Sequence, residues 1–477
     1  MSQLLRMALA NRSMLLDNRL EKLVAWLGCS DQFYLSDDVE VNECEESGRG
    51  VVLKGGALKK NETVVRVPNR YQLNFNSILW NMSLFNRRIC VSGITVSERE
   101  RQIQREQLDD NDPRFRLYSV LDQETVLSFS SFQLLAFYIL VERVLLPLWF
   151  NGSIQSFWQP FFDVWPSKEE LGSIPAIWNN SASSRDKKLL GLLPLASQKL
   201  IKKKNALLRQ DWDTIRPWLV SSCEQLWQEG HQCPSIEEIY EDFLHVYFII
   251  NSRCLYSEVQ LKKDDVESQF TMVPFVDFLN HTDEVDQHCY PEITRDRKDR
   301  LMGVFSLKCG KRGYVKAGEN ILLNYGPHSN DFLLNEYGFV LQENRWNFID
   351  ISDEVTNLIG GDAVMMEFLK EHAYWDNYTI NYSEISYRAL VALSLLVTQD
   401  YRRVEKLLLG YISEDYFLPK ISDKLRELLE RLLESYRDRL ESLTTQPGMP
   451  ANFSARNLGT IYRGYIDIIE HHLGSLS

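Results

Sequence analysis

No two of the eight cysteines stand close enough to form a C-x-x-C pair. They fall at positions 29, 44, 90, 223, 233, 254, 289 and 309. That spacing argues against a zinc knuckle and fits scattered thiols in a reducing compartment. Positive charge is in deficit, with 53 Lys and Arg against 66 Asp and Glu and a net charge of −13. A general nucleic-acid binder needs the opposite balance, so no direct nucleic-acid binding is expected, while a basic protein partner is compatible. No apolar run is long enough to span a bilayer. The most hydrophobic stretch, Leu134–Leu148, is interrupted by Glu142, Arg143 and Pro147 and reads as a buried helix, so no membrane is expected. Met1–Arg19 lacks the apolar core of a signal peptide. It carries Arg6, Arg12 and Arg19 against Asp17, a balance also found in mitochondrial transit peptides, but the plainer reading is a first helix running into Leu20–Leu27. The N-x-S/T triplets at Asn151 and Asn377 are incidental without a secretory signal. No repeat of 20–50 residues is present, which excludes a solenoid.

What is present is material for a large core. The chain has 477 residues with 11 Trp, 21 Tyr and 23 Phe, enough for two or three domains. From Val39 to Val67, β-branched runs separated by Gly and Asn turns predict short strands. From about Ser77 to Glu241, apolar residues recur at helical spacing, notably over Phe132–Leu146 and Leu189–Leu208. The charged segment Glu98–Arg114 is expected to be an exposed loop, and Lys202–Lys204 a solvated helix face. Strand character returns between Met272 and Tyr325. Beyond Asn347 the pattern is helical, with leucines at 425, 428, 429, 432 and 433 in Ile421–Leu443, a linker at Thr444–Ser454 and a last helix over about Arg456–Leu473. Strands, helices, strands and helices in that order predict an α+β protein with a helical block inserted into one sheet unit and a separate helical C-terminal domain.

Three clusters stand in or beside the strand regions. Ser47-Gly48-Arg49-Gly50 allows close backbone approach to a ligand, although a tight hairpin turn explains it as well. Val273–His281 reads as a buried apolar strand ending in Asp277, Asn280 and His281, polar groups that need partners. No further His or carboxylate follows at ligand spacing, so no metal is expected. In Ala317–Val340 a strand Ile321–Tyr325 ends in Tyr-Gly, and Asn330 can cap a short helix Asp331–Tyr337 that stops at Gly338. Each tyrosine taken alone could be a core residue. Together these features give an enzyme-like α+β chain with a cleft lined by Gly, Asn, His and Tyr.

The three clusters, in that order and with a helical block between the first and second, resemble the SET-domain methyltransferases. More narrowly they are similar to the branch that includes the Rubisco large-subunit and fungal ribosomal-protein lysine methyltransferases. Ser156–Ser167 (SFWQPFFDVWPS) resembles that branch's W-x-P-Y-x-x-x-L-P segment, and Ile250–Leu255 its S-R segment. The absence of cysteine-rich zinc segments fits the same branch. The resemblance implies a SET β-fold with a pseudoknot over 20–345, a helical insertion at about 81–240, and a helical substrate-binding domain over 346–477. It implies S-adenosyl-L-methionine as cofactor, bound by Ser47, Gly48, Arg49, Arg253, Asn280, His281, Tyr325 and Tyr337. Tyr325 corresponds to the catalytic tyrosine, and Ser252, Asp277 and Tyr337 to substrate-binding positions. The expected activity is methylation of a lysine on another protein, with a ribosomal protein foremost. Translation factors and cytochrome c, methylation of histidine, and a catalytically inactive SET-fold binding module remain alternatives. A cytoplasmic enzyme, also present in the nucleus, is expected ahead of a mitochondrial one. Methyl number and oligomeric state are not legible.

Overall fold

The computed structural model describes residues 18–44, 48–95, 109–149, 154–179, 181, 183–227, 234–295, 303–445, 449 and 452–476. Ser47, residues 1–17 and most of the charged 98–114 segment lie outside the described residues. The chain divides into two compact units, one within 1–171 and 204–325, the other within 172–203 and 326–477.

Among the described residues the first unit holds ten short strands. These are β1 (Tyr34–Leu35), β2 (Val39–Cys44), β3 (Gly48–Leu53), β4 (Thr63–Val67), β5 (Cys254–Tyr256), β6 (Phe270–Met272), β7 (Asn280–His281), β8 (His288–Thr294), β9 (Val304–Lys308) and β10 (Leu322–Leu323). The strand alternation is visible in β4, where Val65 and Val67 are buried and Arg66 between them is exposed. One six-stranded sheet runs β1-β4-β9-β8-β10-β7, while β2-β3 and β5-β6 form two-stranded sheets. β2 and β3 pair antiparallel with Cys44 opposite Gly48, so Gly48, Arg49 and Gly50 stand in a strand rather than in a turn, and Ser47 lies outside the described residues. Gly48 has φ +75°, a conformation that favours glycine.

The second cluster departs from expectation. Val273–His281 is not a continuous strand. After β6 the chain turns at Pro274, makes a 3-10 turn over Val276–Phe278, and resumes only as the two residues of β7. Proline supplies no N–H to a sheet ladder, and Phe275 beside it takes φ +71°.

Helices in this unit begin where their caps predict. Asn74 and Ser130 each close a capping box, over Phe75–Phe85 and Ser131–Ile139 respectively. The expected buried helix is present and continues through a wide π turn, Leu140–Leu145, into Leu146–Trp149. Glu142 in that turn is fully buried. It accepts the Tyr118 hydroxyl at 2.5 Å and lies 3.6 Å from Arg114. Arg114 also pairs with buried Asp112 at 2.6 Å. The end of the charged segment is therefore interior rather than an exposed loop, because its charges neutralise one another.

The expected helix Leu189–Leu208 is two helices, Ser184–Gly191 and Leu195–Trp227, the break falling at Pro194. The helix Asn330–Tyr337 is capped by Ser329, whose hydroxyl accepts the Phe332 N–H, and not by Asn330. Asn330 is buried and exchanges hydrogen bonds with the Leu341 backbone at 2.9 and 3.1 Å. A two-stranded pair, β11 (Phe348–Asp350) with β12 (Thr379–Asn381), interrupts the helical region. The long helices Leu418–Thr445 and Phe453–Ser475 follow. Leu425, Leu428, Leu429 and Leu432 are buried as their spacing predicts. Among the described residues no helix is long and apolar enough to cross a membrane, and no cluster of His, Cys, Asp or Glu could hold a metal ion.

Candidate active site

Four segments of the first unit deliver the predicted side chains. The helix Ile236–Arg253 starts at a Ser235 capping box and ends where Cys254 turns extended to begin β5. Its last residues are Ser252 and Arg253. The Ser252 hydroxyl donates back to the Phe248 carbonyl at 2.7 Å, so it is spent inside its own helix. Arg253 reaches across to the turn after β6. Its Nη1 donates to the Asp277 carbonyl at 2.9 Å and lies 3.2 Å from the Asp277 carboxylate.

The conformation of Phe275 makes that pairing possible. A bulky residue at positive φ costs about 1–3 kcal/mol and persists only when its surroundings fix it. Phe275 is buried, the Phe278 N–H donates to its carbonyl at 3.2 Å, and the Asp277 N–H donates to the Val273 carbonyl at 3.3 Å. The reversal turns the Asp277 side chain inward, where it is 1% exposed. Burial raises its pKa, and the Arg253 and then the Arg49 charge oppose the rise. Among the described residues, Asp277 Oδ1 and Arg253 Nε are buried without a hydrogen-bond partner.

β7 and β10 lie side by side in parallel, with Leu322 opposite Asn280 and Leu323 opposite His281. The Thr282 N–H donates to the Leu323 carbonyl at 3.1 Å. The Tyr325 N–H donates to His281 Nδ1 at 3.0 Å. An acceptor Nδ1 leaves the proton of the neutral imidazole on Nε2. The two rings are 5.0 Å apart, and the Tyr325 hydroxyl donates to the Leu279 carbonyl at 2.6 Å. Burial foremost pushes the Tyr325 phenol up to about 12, with Arg253 opposing and Asp277 adding to the rise. At neutral pH it is a neutral hydroxyl, unsuited to act as a phenolate base.

β3 joins this group through its flank, because the Ile321 N–H donates to the Val51 carbonyl at 2.8 Å and the Leu53 N–H to the Glu319 carbonyl at 2.9 Å. The Asn280 amide donates to the Arg49 carbonyl at 3.3 Å. The Arg49 guanidinium is engaged elsewhere, donating to the Val164 carbonyl at 2.7 Å and lying 3.6 Å from Glu170.

Arg49, Arg253, Asp277, Asn280, His281 and Tyr325 thus converge within the first unit. Tyr337 belongs to the second unit, where it ends a helix closed by Gly338 at φ 82° and its ring lies 6.0 Å from that of Phe339. Sequence reasoning missed the Leu279 carbonyl, the Arg253–Asp277 pair and the strain at Phe275. A backbone carbonyl leaves no trace in residue identity, and a pair separated by 24 residues has no local signature.

Residues 347–475 match the family model described as the C-terminal domain of ribosomal lysine N-methyltransferase 2. The chain is 46% identical to ribosomal lysine N-methyltransferase 2 of Saccharomyces cerevisiae, over 97% of this chain and 100% of that protein. It is 29% identical to ribosomal lysine N-methyltransferase set11 of Schizosaccharomyces pombe, over 39% of this chain and 48% of that one. The solved structure of Rubisco LSMT bound to sinefungin and monomethyllysine matches with a TM-score of 0.55 at 16% identity, over 96% of this chain and 91% of that one. A comparable match, TM-score 0.54 at 15% identity, is the SET domain of LSMT bound to lysine and AdoHcy. At that identity the likeness shows the fold alone, and it bears out the expected mixed α+β SET architecture. With 46% identity along almost its whole length, the chain belongs to the ribosomal lysine N-methyltransferase 2 family of SET-domain enzymes.

Proposed function

We propose that the chain transfers a methyl group from S-adenosyl-L-methionine to a lysine side chain of a ribosomal protein. The observation that carries this reading is the 46% identity, over 97% of the chain, to an enzyme named for ribosomal lysine methylation. The net charge of −13 suits a basic substrate.

The donor set fits a cofactor bearing an α-amino acid. Arg253 Nε, buried and without a protein partner among the described residues, is an unspent donor for a carboxylate. The His281 Nε2–H and the Asn280 amide add donors, and the strand that begins Gly48-Arg49 supplies carbonyl acceptors. When bound, the cofactor supplies an electrophilic methyl on a sulfonium.

In this reading the chain's own residues do the rest. Free lysine has a pKa of about 10.4, so its amine must lose a proton before it can attack. Burial beside Tyr325 disfavours the ammonium. The Tyr325 oxygen, its own proton committed to the Leu279 carbonyl, offers a lone pair to orient the amine, and the proton leaves to water. Asp277 and Ser252 are assigned to the lysine channel, Ser252 through its backbone because its hydroxyl is spent. Holding two reactants in line lowers a barrier by up to about 7–11 kcal/mol, the largest contribution invoked.

The test is transfer of radiolabelled methyl to proteins of a lysate lacking this enzyme, wild type beside Tyr325→Phe, with mass analysis of the labelled residue. A labelled ribosomal protein modified on lysine, weakened in the variant, is expected. Label on histidine, or on a translation factor alone, overturns the substrate assignment. We further assign the enzyme to the cytoplasm with a nuclear share; recovery from mitochondria alone on fractionation removes that assignment.

A further inference from the structure

Two thiols of the first unit face each other across the main sheet and take no part in the chemistry above. β8 and β9 pair antiparallel with Tyr290 opposite Lys308. One step along the same register sets Cys289 opposite Cys309. The backbones stay together past that point, because a Cβ on Gly310 would run into the His288 carbonyl. Side chains at directly opposed positions leave the same face of a sheet. Cys289 and Cys309 are both free thiols and both fully buried.

The Cys309 N–H donates to the Glu62 carbonyl at 2.8 Å, and the Cys309 carbonyl accepts the Asn61 N–H at 3.0 Å. Both backbone groups thus point away from Cys289, which makes the two cysteines a non-hydrogen-bonded pair. Such a pair holds its Cα atoms about 4.5 Å apart, with the side chains closer than in the hydrogen-bonded kind. A disulfide spans about 4.4–6.8 Å between Cα atoms, so one can close here without breaking the ladder. The two sulfurs already act on each other. The Cys289 thiol, with burial opposing, lowers the Cys309 pKa, while Cys309 and then burial raise that of Cys289. Cys309 is therefore the nucleophile of the two.

The pair adjoins the strand that leads to Tyr325. β10 lies on the other side of β8, with Leu323 opposite Cys289. Cys289 Sγ is 3.9 Å from the Tyr314 hydroxyl. That hydroxyl accepts the Leu322 N–H at 3.1 Å and donates to the Gln287 carbonyl. Opposed Cβ atoms stand about 4.5–5.5 Å apart in a ladder and about 3.8 Å apart across a disulfide. Closing the bond draws Cys289 toward β9 and away from β10, and a misplacement of about 1 Å near reacting groups can cost about 10²-fold in rate.

We propose that Cys289 and Cys309 are a reversible oxidation site, closed to a disulfide by hydrogen peroxide, and that closure slows methyl transfer. The Cys309 thiolate attacks one peroxide oxygen and the O–O bond breaks. Hydroxide leaves and takes up the proton that Cys309 had released, giving a sulfenic acid and water. The Cys289 sulfur then attacks Cys309, the S–O bond breaks, and the leaving hydroxide takes the Cys289 proton as a second water. The two sulfurs lose two electrons and the peroxide gains them. The oxidant enters by fraying of this end of the ladder, where the Lys311–Asp286 ion pair at 3.6 Å is mostly exposed and contributes little.

Reduced full-length protein would be treated with hydrogen peroxide, its remaining thiols alkylated in denaturant, and its peptides mapped by mass without reduction. Peptides joined through Cys289 and Cys309 are expected. The rate of radiolabel transfer to a lysate lacking the enzyme should fall about tenfold and return with dithiothreitol, which does not repair oxidised methionine. Cys29→Ala/Cys90→Ala, which removes two exposed thiols, should respond as wild type does. Cys309→Ala should keep the activity of the reduced protein and lose the reversible response; thermal melting checks its fold, and the wild-type mapping decides without it. No joined peptides, joined peptides with an unmoved rate, or a reversible loss that persists in Cys309→Ala overturns the inference.

Discussion

Replacing Tyr325 by phenylalanine removes one oxygen and leaves the ring. In the structure that oxygen donates to the buried Leu279 carbonyl at 2.6 Å. Loss of a neutral hydrogen bond costs about 1 kcal/mol of folding stability, so the variant should fold, with its melting midpoint lowered by only a few degrees. If the oxygen also orients the reacting amine, the loss in the transition state matches that of a preorganised polar group, about 2.7–4 kcal/mol, or 10²–10³ in kcat. Affinity for the methyl donor should change by less than about threefold, since His281, Asn280 and Arg253 are untouched. Steady-state radiolabel transfer and calorimetry measure the two separately. Equal losses in kcat and cofactor affinity, or an unchanged kcat, would refute the role assigned to this oxygen.

The pH dependence follows from the same residue. The Tyr325 phenol at about 12 is about one part in 10⁵ ionised at pH 7. A rise of kcat between pH 7 and 10 should therefore come from the substrate lysine and keep its shape in Tyr325→Phe; a limb lost in the variant would show that the tyrosine titrates. Arg253→Ala should cost about 3 kcal/mol at pH 8, because it strands the buried Asp277 carboxylate. Asp277 has a raised folded pKa. Its protonated form is the favoured buried one, so the loss shrinks as pH falls toward 5 and in the Arg253→Ala/Asp277→Asn double variant; denaturant unfolding at both pH values would check this, and a loss independent of pH counts against it. Gly338→Ala should lower the melting midpoint by more than a simple Gly-to-Ala change, since φ is +82° and a Cβ would stand 2.3 Å from Ser173 Oγ. Cys29 and Cys90 are exposed whereas Cys223, Cys289 and Cys309 are buried, so alkylation of the native protein should reach only the first two of these five; rapid labelling of Cys289 would contradict its burial.

Patterns that repeat within a few residues could be read along the chain, because their cause is local. The β-branched run in Thr63–Val67, the leucine spacing in Ile421–Leu443 and the Gly338 stop each set one element's type, periodicity or end. The family likeness was legible too, since the N-H and Y-G segments keep their identities wherever they fold. Even locally, proximity to Pro274 and the choice between Ser329 and Asn330 as cap were misjudged. Neighbouring residues compete for one role, and burial of Asn330 against Leu341 settled the competition.

What only the tertiary structure decided is how distant residues share charge and hydrogen bonds. Arg253 meets Asp277 because Phe275 is forced to positive φ. Tyr325 meets His281 because two two-residue strands lie parallel. Arg114 is interior because Asp112 and Glu142 surround it. Residue identity fixes which groups can donate, accept or ionise. Whether a group is paired, buried or left wanting depends on neighbours tens or hundreds of residues away, which the chain specifies only through its fold.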